Sequence, residues 1–309
     1  LIGADPNEVT VTNSTTINIH QCLATFYQPK SGRDKILVDD LNFPTDRHAV
    51  DSQVLLHGLK PEEAIRVVQS ADGRTIDEEA VIAAMTDDVA VALLPSVLYR
   101  SAQLLDMDRL TAAARSKGII MGWDLCHSIG AVPHNLKQTG ADFAIWCNYK
   151  HLSGGPGAVA GLYINRRHFG RRPGLAGWHG NVKDTLFQLN HQHEHAHDVD
   201  GWLTGTPPML SMSALEGVMN IFKEAGMDKI REKSLKITAY LMYLIDQRLS
   251  RHGFAVGNPR EDARRGGHVA LEHDEAYRLC KALKAHGGLP GYREPHLIPP
   301  APPVSYTPL

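Results

Sequence analysis

The sequence lacks several features that define common classes of protein. Its 309 residues carry a formal net charge of only −2, which argues against a nucleic-acid or anionic-membrane partner. No apolar run approaches the roughly 20 residues that span a bilayer. The four cysteines are far apart and form no CxxC pair, which is typical of reduced thiols in a cytoplasmic protein. These absences leave a globular protein of one or two domains.

A phosphate-binding loop of the Walker type is also lacking around the most conspicuous lysine. The segment WCNYKHLSGGPG (146–157) places Lys150 after a strand-like aromatic run and before glycines 154, 155 and 157. The Walker pattern needs glycines before its lysine, so this interpretation fails. Two others stay open: a solvated surface lysine, or a lysine that forms a Schiff base with a carbonyl cofactor.

Short apolar segments alternate with helical patterns over the first two thirds of the chain. This alternation predicts an α/β fold with a mostly parallel sheet covered on both faces, and ligands at the carboxyl ends of its strands. The predicted strands are 35–40, 64–70, 89–97, 119–125, 141–149 and 158–165. The predicted helices between them are 14–27, 46–58, 75–86 and 106–118.

The domain organisation follows from where this alternation stops. We predict a large domain over 1–226, a long connecting helix over 227–253, and a smaller α+β domain over 254–309. The opening segment, LIGADPNEVTVTNSTT, is typical of the middle of a domain, so we expect further sequence upstream.

Several residues at predicted strand and helix ends match the needs of pyridoxal phosphate (PLP). The cofactor requires an acid facing its pyridine nitrogen, and Asp124 ends a strand with His127 three residues on. Its phosphate requires a helix N-terminus with hydroxyl groups, and Thr15 and Thr16 begin a helix. Phe43, in the loop after the first strand, offers a face for the ring. Together these residues favour the Schiff-base interpretation of Lys150.

The chain resembles the kynureninases, PLP-dependent enzymes of fold type I, the aspartate aminotransferase fold. The resemblance covers nearly the whole chain. It rests on TNSTTINIH, FPTDRHAVDSQ, GWDLCHSIGAVPHNL, DFAIWCNYKHLSGGPG, PGLAGWHG, GTPPMLSM and RGGHVALEHDEAYR. It implies hydrolytic Cβ–Cγ cleavage of L-kynurenine or 3-hydroxykynurenine to anthranilate or 3-hydroxyanthranilate and L-alanine, a step of tryptophan catabolism that also serves NAD biosynthesis.

The resemblance also implies a role for each matching residue. Lys150 would bind the cofactor covalently, Asp124 would pair with its pyridine nitrogen, and His127 would lie near its phenolic oxygen or the substrate. Tyr149 would donate to the phosphate and assist proton transfer. The other implied cofactor contacts are Thr15, Thr16, Phe43, Asp46 and Ser96, together with Trp178 and Thr206 reaching from the neighbouring subunit of a homodimer.

The sequence departs from the family pattern at two places. An N-terminal segment that supplies part of the small domain and a substrate-side histidine is absent from this sequence. Near the C-terminus, Pro299 in LIPPAPPV stands where the family has the arginine that grips the substrate carboxylate. Arg264, Arg265 and Arg293 are candidate substitutes. The alternatives are therefore another fold type I enzyme, such as a desulfurase or aminotransferase, or a PLP-binding paralogue with impaired catalysis.

The segment HQHEHAHD (191–198) has histidines at alternate positions. On a strand they would share one side and could bind zinc or nickel, although we favour a solvated loop and assign no metal. Cys126 and Cys147 flank the candidate catalytic residues, and we expect them to be buried packing residues rather than nucleophiles.

Overall fold

Seven strands form the central sheet of the computed structural model, which describes residues 1–288 and 290–302. The strands are β1 (Val9–Val11), β2 (Lys35–Asp39), β3 (Ile65–Val68), β4 (Val89–Pro95), β5 (Ile120–Asp124), β6 (Phe143–Trp146) and β7 (Gly161–Ile164). Their spatial order is β1-β7-β6-β5-β4-β2-β3. Strands β2 to β6 pair in parallel, whereas β7 is antiparallel to both of its neighbours.

Both faces of the sheet are buried. Consecutive residues of a strand point to opposite faces, so each strand contributes side chains to two cores. One core contains the side chains of Leu37, Leu94, Met121, Trp123, Trp146 and Tyr163. The core on the other face contains those of Ile36, Val38, Leu93, Phe143, Ile145 and Leu162. The continuous apolar runs in the sequence therefore reflect two-sided burial, as predicted.

Helices connect the parallel strands and cover the sheet. These helices are α1 (Thr15–Phe26), α2 (Pro44–Leu56), α3 (Pro61–Ala64), α4 (Glu78–Ala84), α5 (Met107–Ser116) and α6 (Leu136–Thr139). Gly122 of β5 shows how tightly the layers pack, since a Cβ placed there would lie 2.1 Å from the Phe143 ring. Every predicted strand and helix of this region is present, with ends shifted by one to three residues.

The C-terminal third begins with α7 (Met209–Ala225) and α8 (Met227–Leu244). A π turn (Ile245–Leu249) and a 3-10 turn (Ser250–His252) extend α8 almost to the predicted end of the connecting helix. A small antiparallel sheet follows, built from β8 (Ala255–Val256), β9 (Leu271–Glu272) and β10 (Leu297–Ile298), with α9 (Ala276–Ala285) between β9 and β10. The proposed domain boundaries stay a prediction, and residues 303–309 lie outside the described range.

Within the described residues, no helix is both long and apolar enough to cross a membrane.

Candidate active site

A cavity of about 860 Å³ lies at the carboxyl ends of the parallel strands. The fold brings together segments that are up to 281 residues apart in sequence, from Thr12 to Arg293, and ligands are expected at this edge of an α/β sheet. Most of the predicted site residues line this cavity: Thr15, Thr16, Phe43, Asp124, His127, Tyr149, Lys150 and Thr206.

Lys150 occupies a turn just beyond β6 and points into the cavity. Its Nζ lies 2.9 Å from His127 Nε2 and 5.5 Å from the centroid of the Phe43 ring. Burial, followed by the nearby charge of Lys150, lowers the pKa of His127 well below its ordinary value. A neutral imidazole can accept a hydrogen bond from the lysine. Lys150 therefore faces a cavity, and this placement does not fit the alternative of a solvated surface lysine.

The floor of the cavity contains two carboxyl groups from different elements. Asp124 ends β5, is 3% exposed, and its Oδ1 accepts a hydrogen bond of 2.7 Å from the Cys126 N–H. Asp46, in the first turn of α2, lies behind the cavity wall, where its Oδ2 accepts from Asn42 Nδ2 at 2.8 Å. Burial and then repulsion from Asp124 raise the pKa of Asp46 well above its ordinary value. The protonated form of Asp46 is therefore favoured more than that of an ordinary carboxyl group.

The opposite wall is the N-terminus of α1. Ser14 caps the helix by accepting a hydrogen bond from the Ile17 N–H at 3.4 Å. Thr15 and Thr16 present the first backbone N–H groups of the helix, and Thr16 Oγ1 lies 2.7 Å from Thr45 Oγ1. Thr45 was missed by the sequence analysis, although it follows Phe43 by only two residues. Helix N–H groups surrounded by hydroxyls form a phosphate-binding environment.

The glycine-rich segment that follows Lys150 forms the turn by which the chain leaves this side of the cavity. Ser153, Gly155 and Gly157 all have positive φ angles, of 56°, 83° and 75°. At Gly154, a Cβ would lie 2.7 Å from the Asn148 carbonyl oxygen. The glycines thus serve backbone geometry after the lysine, as the sequence predicted.

Besides Asp46, which lies behind the wall, two predicted contacts do not line the cavity. Ser96 is fully buried beneath it, where its Oγ lies 2.6 Å from Ser128 Oγ and 3.2 Å from the carbonyl oxygen of Asp124. Trp178 is 42% exposed and packs against the rings of His179 and Phe187. The cofactor contacts predicted for both residues stay predictions, and in this chain Ser96 supports the strand end that carries Asp124.

The sequence analysis assigned no catalytic role to the two cysteines near Lys150 or to the histidine-rich segment. Cys126 and Cys147 are buried next to each other, and the Cys147 N–H donates to Cys126 Sγ at 3.2 Å. The histidine-rich segment is an irregular loop rather than a strand. Among residues 1–288 and 290–302, no group of three or more His, Cys, Asp or Glu side chains is arranged to hold a metal ion.

The residues of the cavity fit pyridoxal phosphate. The hydroxyl-rich helix end suits a phosphate, Asp124 suits a pyridinium, and the Lys150 amine between them suits an aldehyde. The described part of the chain also leaves Asp46 Oδ1 buried without a hydrogen-bond partner, next to Asp124. A protonated Asp46 would support the negative charge that Asp124 needs in order to face a pyridinium.

Comparison with known proteins identifies the family. A protein named Kynureninase from Geobacillus thermodenitrificans is 52% identical over 307 residues, which are 99% of this chain and 72% of that protein. A Kynureninase from Bacillus thuringiensis is 56% identical over the same shares. The chain belongs to the kynureninase family. A family model described as "Kynureninase C-terminal domain" also matches residues 230–308 of this chain. The predicted family and its enzyme class, PLP-dependent hydrolases of carbon–carbon bonds, are thereby confirmed.

Solved structures confirm the predicted fold. Apo cysteine desulfurase from Thermococcus onnurineus superposes with a TM-score of 0.83 at 17% identity, covering 99% of this chain and 77% of that chain. A C-DES mutant with glycine covalently linked to its PLP cofactor gives 0.84 at 16% identity, covering 97% and 77%. At these low identities, the superpositions show that the chain has the fold of type I PLP enzymes. They do not show which reaction the chain catalyses. A desulfurase would need a cysteine in a loop after the lysine, and the sequence has none between Lys150 and Cys280.

Proposed function

We propose that this protein binds pyridoxal phosphate and hydrolyses the Cβ–Cγ bond of L-kynurenine or its 3-hydroxy form, releasing L-alanine and an anthranilate. One observation supports it most directly. Lys150 lies 2.9 Å from a neutral His127 in a cavity bounded by Asp124 on one side and the α1 N-terminus on the other. This arrangement occurs in a chain that is 50–56% identical to proteins named Kynureninase.

Each part of the cofactor has a proposed holder. Thr15 and Thr16 would hold the phosphate through N–H and hydroxyl groups, and Phe43 would cover the ring. Asp124 would pair with the pyridine nitrogen and Lys150 would form the covalent link. When bound, the cofactor supplies an electron sink that makes bonds next to the substrate amine labile.

The remaining chemistry is proton transfer by the protein. Lys150 would carry the proton between the substrate carbon atoms, because its side chain lines the cavity in which the cofactor would be held. His127 would hold the lysine in place as a hydrogen-bond acceptor. Burial, with smaller contributions from the neighbouring cysteines, raises the pKa of Tyr149 to about 12, so its hydroxyl stays a donor at neutral pH. We assign Tyr149 to the phosphate or to a proton relay.

We also propose that the protein is a homodimer with shared active sites. The cavity opens beside a surface of exposed apolar side chains, which include Met209, Leu210 and Phe187. Leu210 is 91% exposed two residues after the lining residue Pro208, an unusual position for leucine in a monomer. Trp178 lies next to Phe187, and Thr206, which lines the cavity of its own chain, precedes Met209 by three residues. In a dimer both would contact the cofactor phosphate of the partner subunit.

The test uses the spectrum and the turnover of the protein incubated with pyridoxal phosphate. We expect an absorbance band of a lysine-bound cofactor that disappears on borohydride reduction, and release of fluorescent anthranilate from L-kynurenine. Lys150→Ala should abolish the band and lower turnover by at least about 1,000-fold, because it removes both the link and the proton carrier. Lys223→Ala, at an exposed position of α7, is the control. A cofactor-loaded wild-type protein without turnover would refute the activity.

A further inference from the structure

We propose that Arg293 is the residue that binds the substrate α-carboxylate in this protein. This inference rests on the proposed function and deepens it, because it assigns the substrate-binding group that Pro299 lacks. Among the described residues, Arg293 is the one arginine that lines the cavity. Lys150, the lysine of this lining, is already used by the proposed chemistry.

The position of Arg293 is fixed by a tight hairpin in the small sheet region. The Arg293 N–H donates to the Leu297 carbonyl oxygen at 2.8 Å, and the Leu297 N–H donates back at 2.9 Å. Leu297 and Ile298 form β10, which pairs with β9. The backbone of Arg293 is thus anchored by two hydrogen bonds, and the residue lines the cavity.

The guanidinium of Arg293 is available for a ligand. It is exposed, and one Nη1 donates to the carbonyl oxygen of Tyr292 at 2.9 Å. Within residues 1–288 and 290–302, no carboxylate pairs with it. The positive charge of Arg293 is also close enough to His127 to contribute to the lowered pKa of that histidine. A guanidinium with free donors suits the planar fork of a carboxylate, which it can bind with two hydrogen bonds.

The other two candidate arginines are occupied elsewhere. Arg264 pairs with Glu78 at 2.8 Å and borders a separate groove beside Leu105 and Asp106. Arg265 is 2% exposed and donates to the carbonyl oxygens of Arg260 and Leu235. Neither lines the cavity that contains Lys150.

Pro299 also lies outside that cavity lining. A Cβ at Gly291 would lie 3.8 Å from the Pro299 ring, so this proline packs against the start of the hairpin that presents Arg293. Proline at 299 has no side-chain donor, and the segment 291–299 instead offers the guanidinium of Arg293 to the substrate.

The experiment compares two ligands with the PLP-loaded wild type and Arg293→Gln. The ligands are L-kynurenine and its α-carboxamide, which lacks the negative charge. We expect Arg293→Gln to raise KM and the equilibrium Kd for L-kynurenine by about 10- to 100-fold, with a smaller change in kcat. The carboxamide should bind both proteins within about 3-fold, since it offers no charge for the arginine. Arg293→Lys should recover part of the affinity.

Two further variants define the outcomes. Arg278→Gln, at an exposed arginine of α9, is the matched control and should leave both constants unchanged. Pro299→Arg should change affinity little if Arg293 is the binding group, whereas a gain of about 10-fold or more would move the carboxylate site to position 299. Equal Kd values for L-kynurenine in wild type and Arg293→Gln would overturn the inference and leave the proposed function intact. Binding without turnover by the wild type would refute the function, and the Kd comparison would still decide the role of Arg293.

Discussion

The floor and the rim of the cavity differ in almost every physical respect. The floor consists of Asp124, together with Asp46, Ser96 and Ser128 behind the lining, and all four are at most 3% exposed. They belong to strand ends or the turns directly after them, or to the first turn of α2. The rim consists of Phe43, Tyr149, Thr206 and Arg293, which are exposed and come from loops. Tyr149 is 52% exposed, although it follows β6 by only three residues.

This difference indicates how much conformational freedom each part would lose when a ligand binds. Floor residues are held by the sheet and by mutual hydrogen bonds, so they require little further ordering when a ligand binds. Rim residues are free to adjust, and a partner subunit or a substrate would complete their contacts. The proposed chemistry therefore has its fixed elements in the floor and its recognition elements in the rim.

The largest expected difference in activity between two matched variants concerns the two acids of the floor. Asp124→Asn should lower kcat by at least about 100-fold, because an amide cannot carry the negative charge opposite a pyridinium. Asp46→Asn should lower kcat less than about 10-fold, because burial and the neighbouring Asp124 raise the pKa of Asp46 and so favour its protonated form, which an amide resembles. The measurement is kcat/KM for both variants at pH 7.5. Equal losses would show that both acids must be ionised.

A smaller effect tests whether the rim is shared between subunits. Lys150→Ala and the double variant Trp178→Ala/Thr206→Ala should each be nearly inactive. Co-expression of the two should restore about a quarter of wild-type activity, because half of the dimers are mixed and one of their two sites is intact. Co-expression of Lys150→Ala with Asp124→Asn is the control and should restore none, since both residues lie in the cavity of one chain. No recovery in the first mixture would place Trp178 and Thr206 in their own subunit's site.

The smallest effect concerns stability against pH. Burial lowers the pKa of His268, 6.2 Å from the His127 ring, to about 3, and that of His151 to about 4. Both are neutral in the folded protein, whereas the unfolded chain binds protons below about pH 6.5. Stability should therefore fall as pH drops from 6.5 towards 4, by about 1.4 kcal/mol per pH unit for each histidine.

The variant His268→Gln isolates one of these protons. Glutamine can keep the hydrogen bond that His268 Nε2 makes with the Tyr99 carbonyl oxygen at 3.1 Å. Urea unfolding of wild type and variant at several pH values should give a shallower dependence in the variant. An unchanged dependence would mean that His268 is already protonated, or accessible to water, in the folded state.

The sequence predicted most of the floor, because strand ends can be located from apolar runs. Asp124 follows such a run directly, and Thr15 and Thr16 follow a capping serine, so local patterns suffice to place them. Thr45 and Asn13 were missed as lining residues, because nothing local distinguishes them from ordinary loop residues. The sequence also offered three arginines as substitutes for the one missing at Pro299 and could not choose among them.

What the sequence determined by itself was the alternation of strands and helices, the family, and the chemical types gathered around Lys150. These depend on periodicity and on short motifs, which are local properties of the chain. The tertiary structure decided which distant groups meet. It set Asp46 against Asp124 and shifted its pKa by burial, moved Ser96 beneath the cavity, and brought Arg293 to the rim while Arg264 and Arg265 bind other partners. Burial and long-range packing depend on the whole fold, and no segment of the sequence contains them.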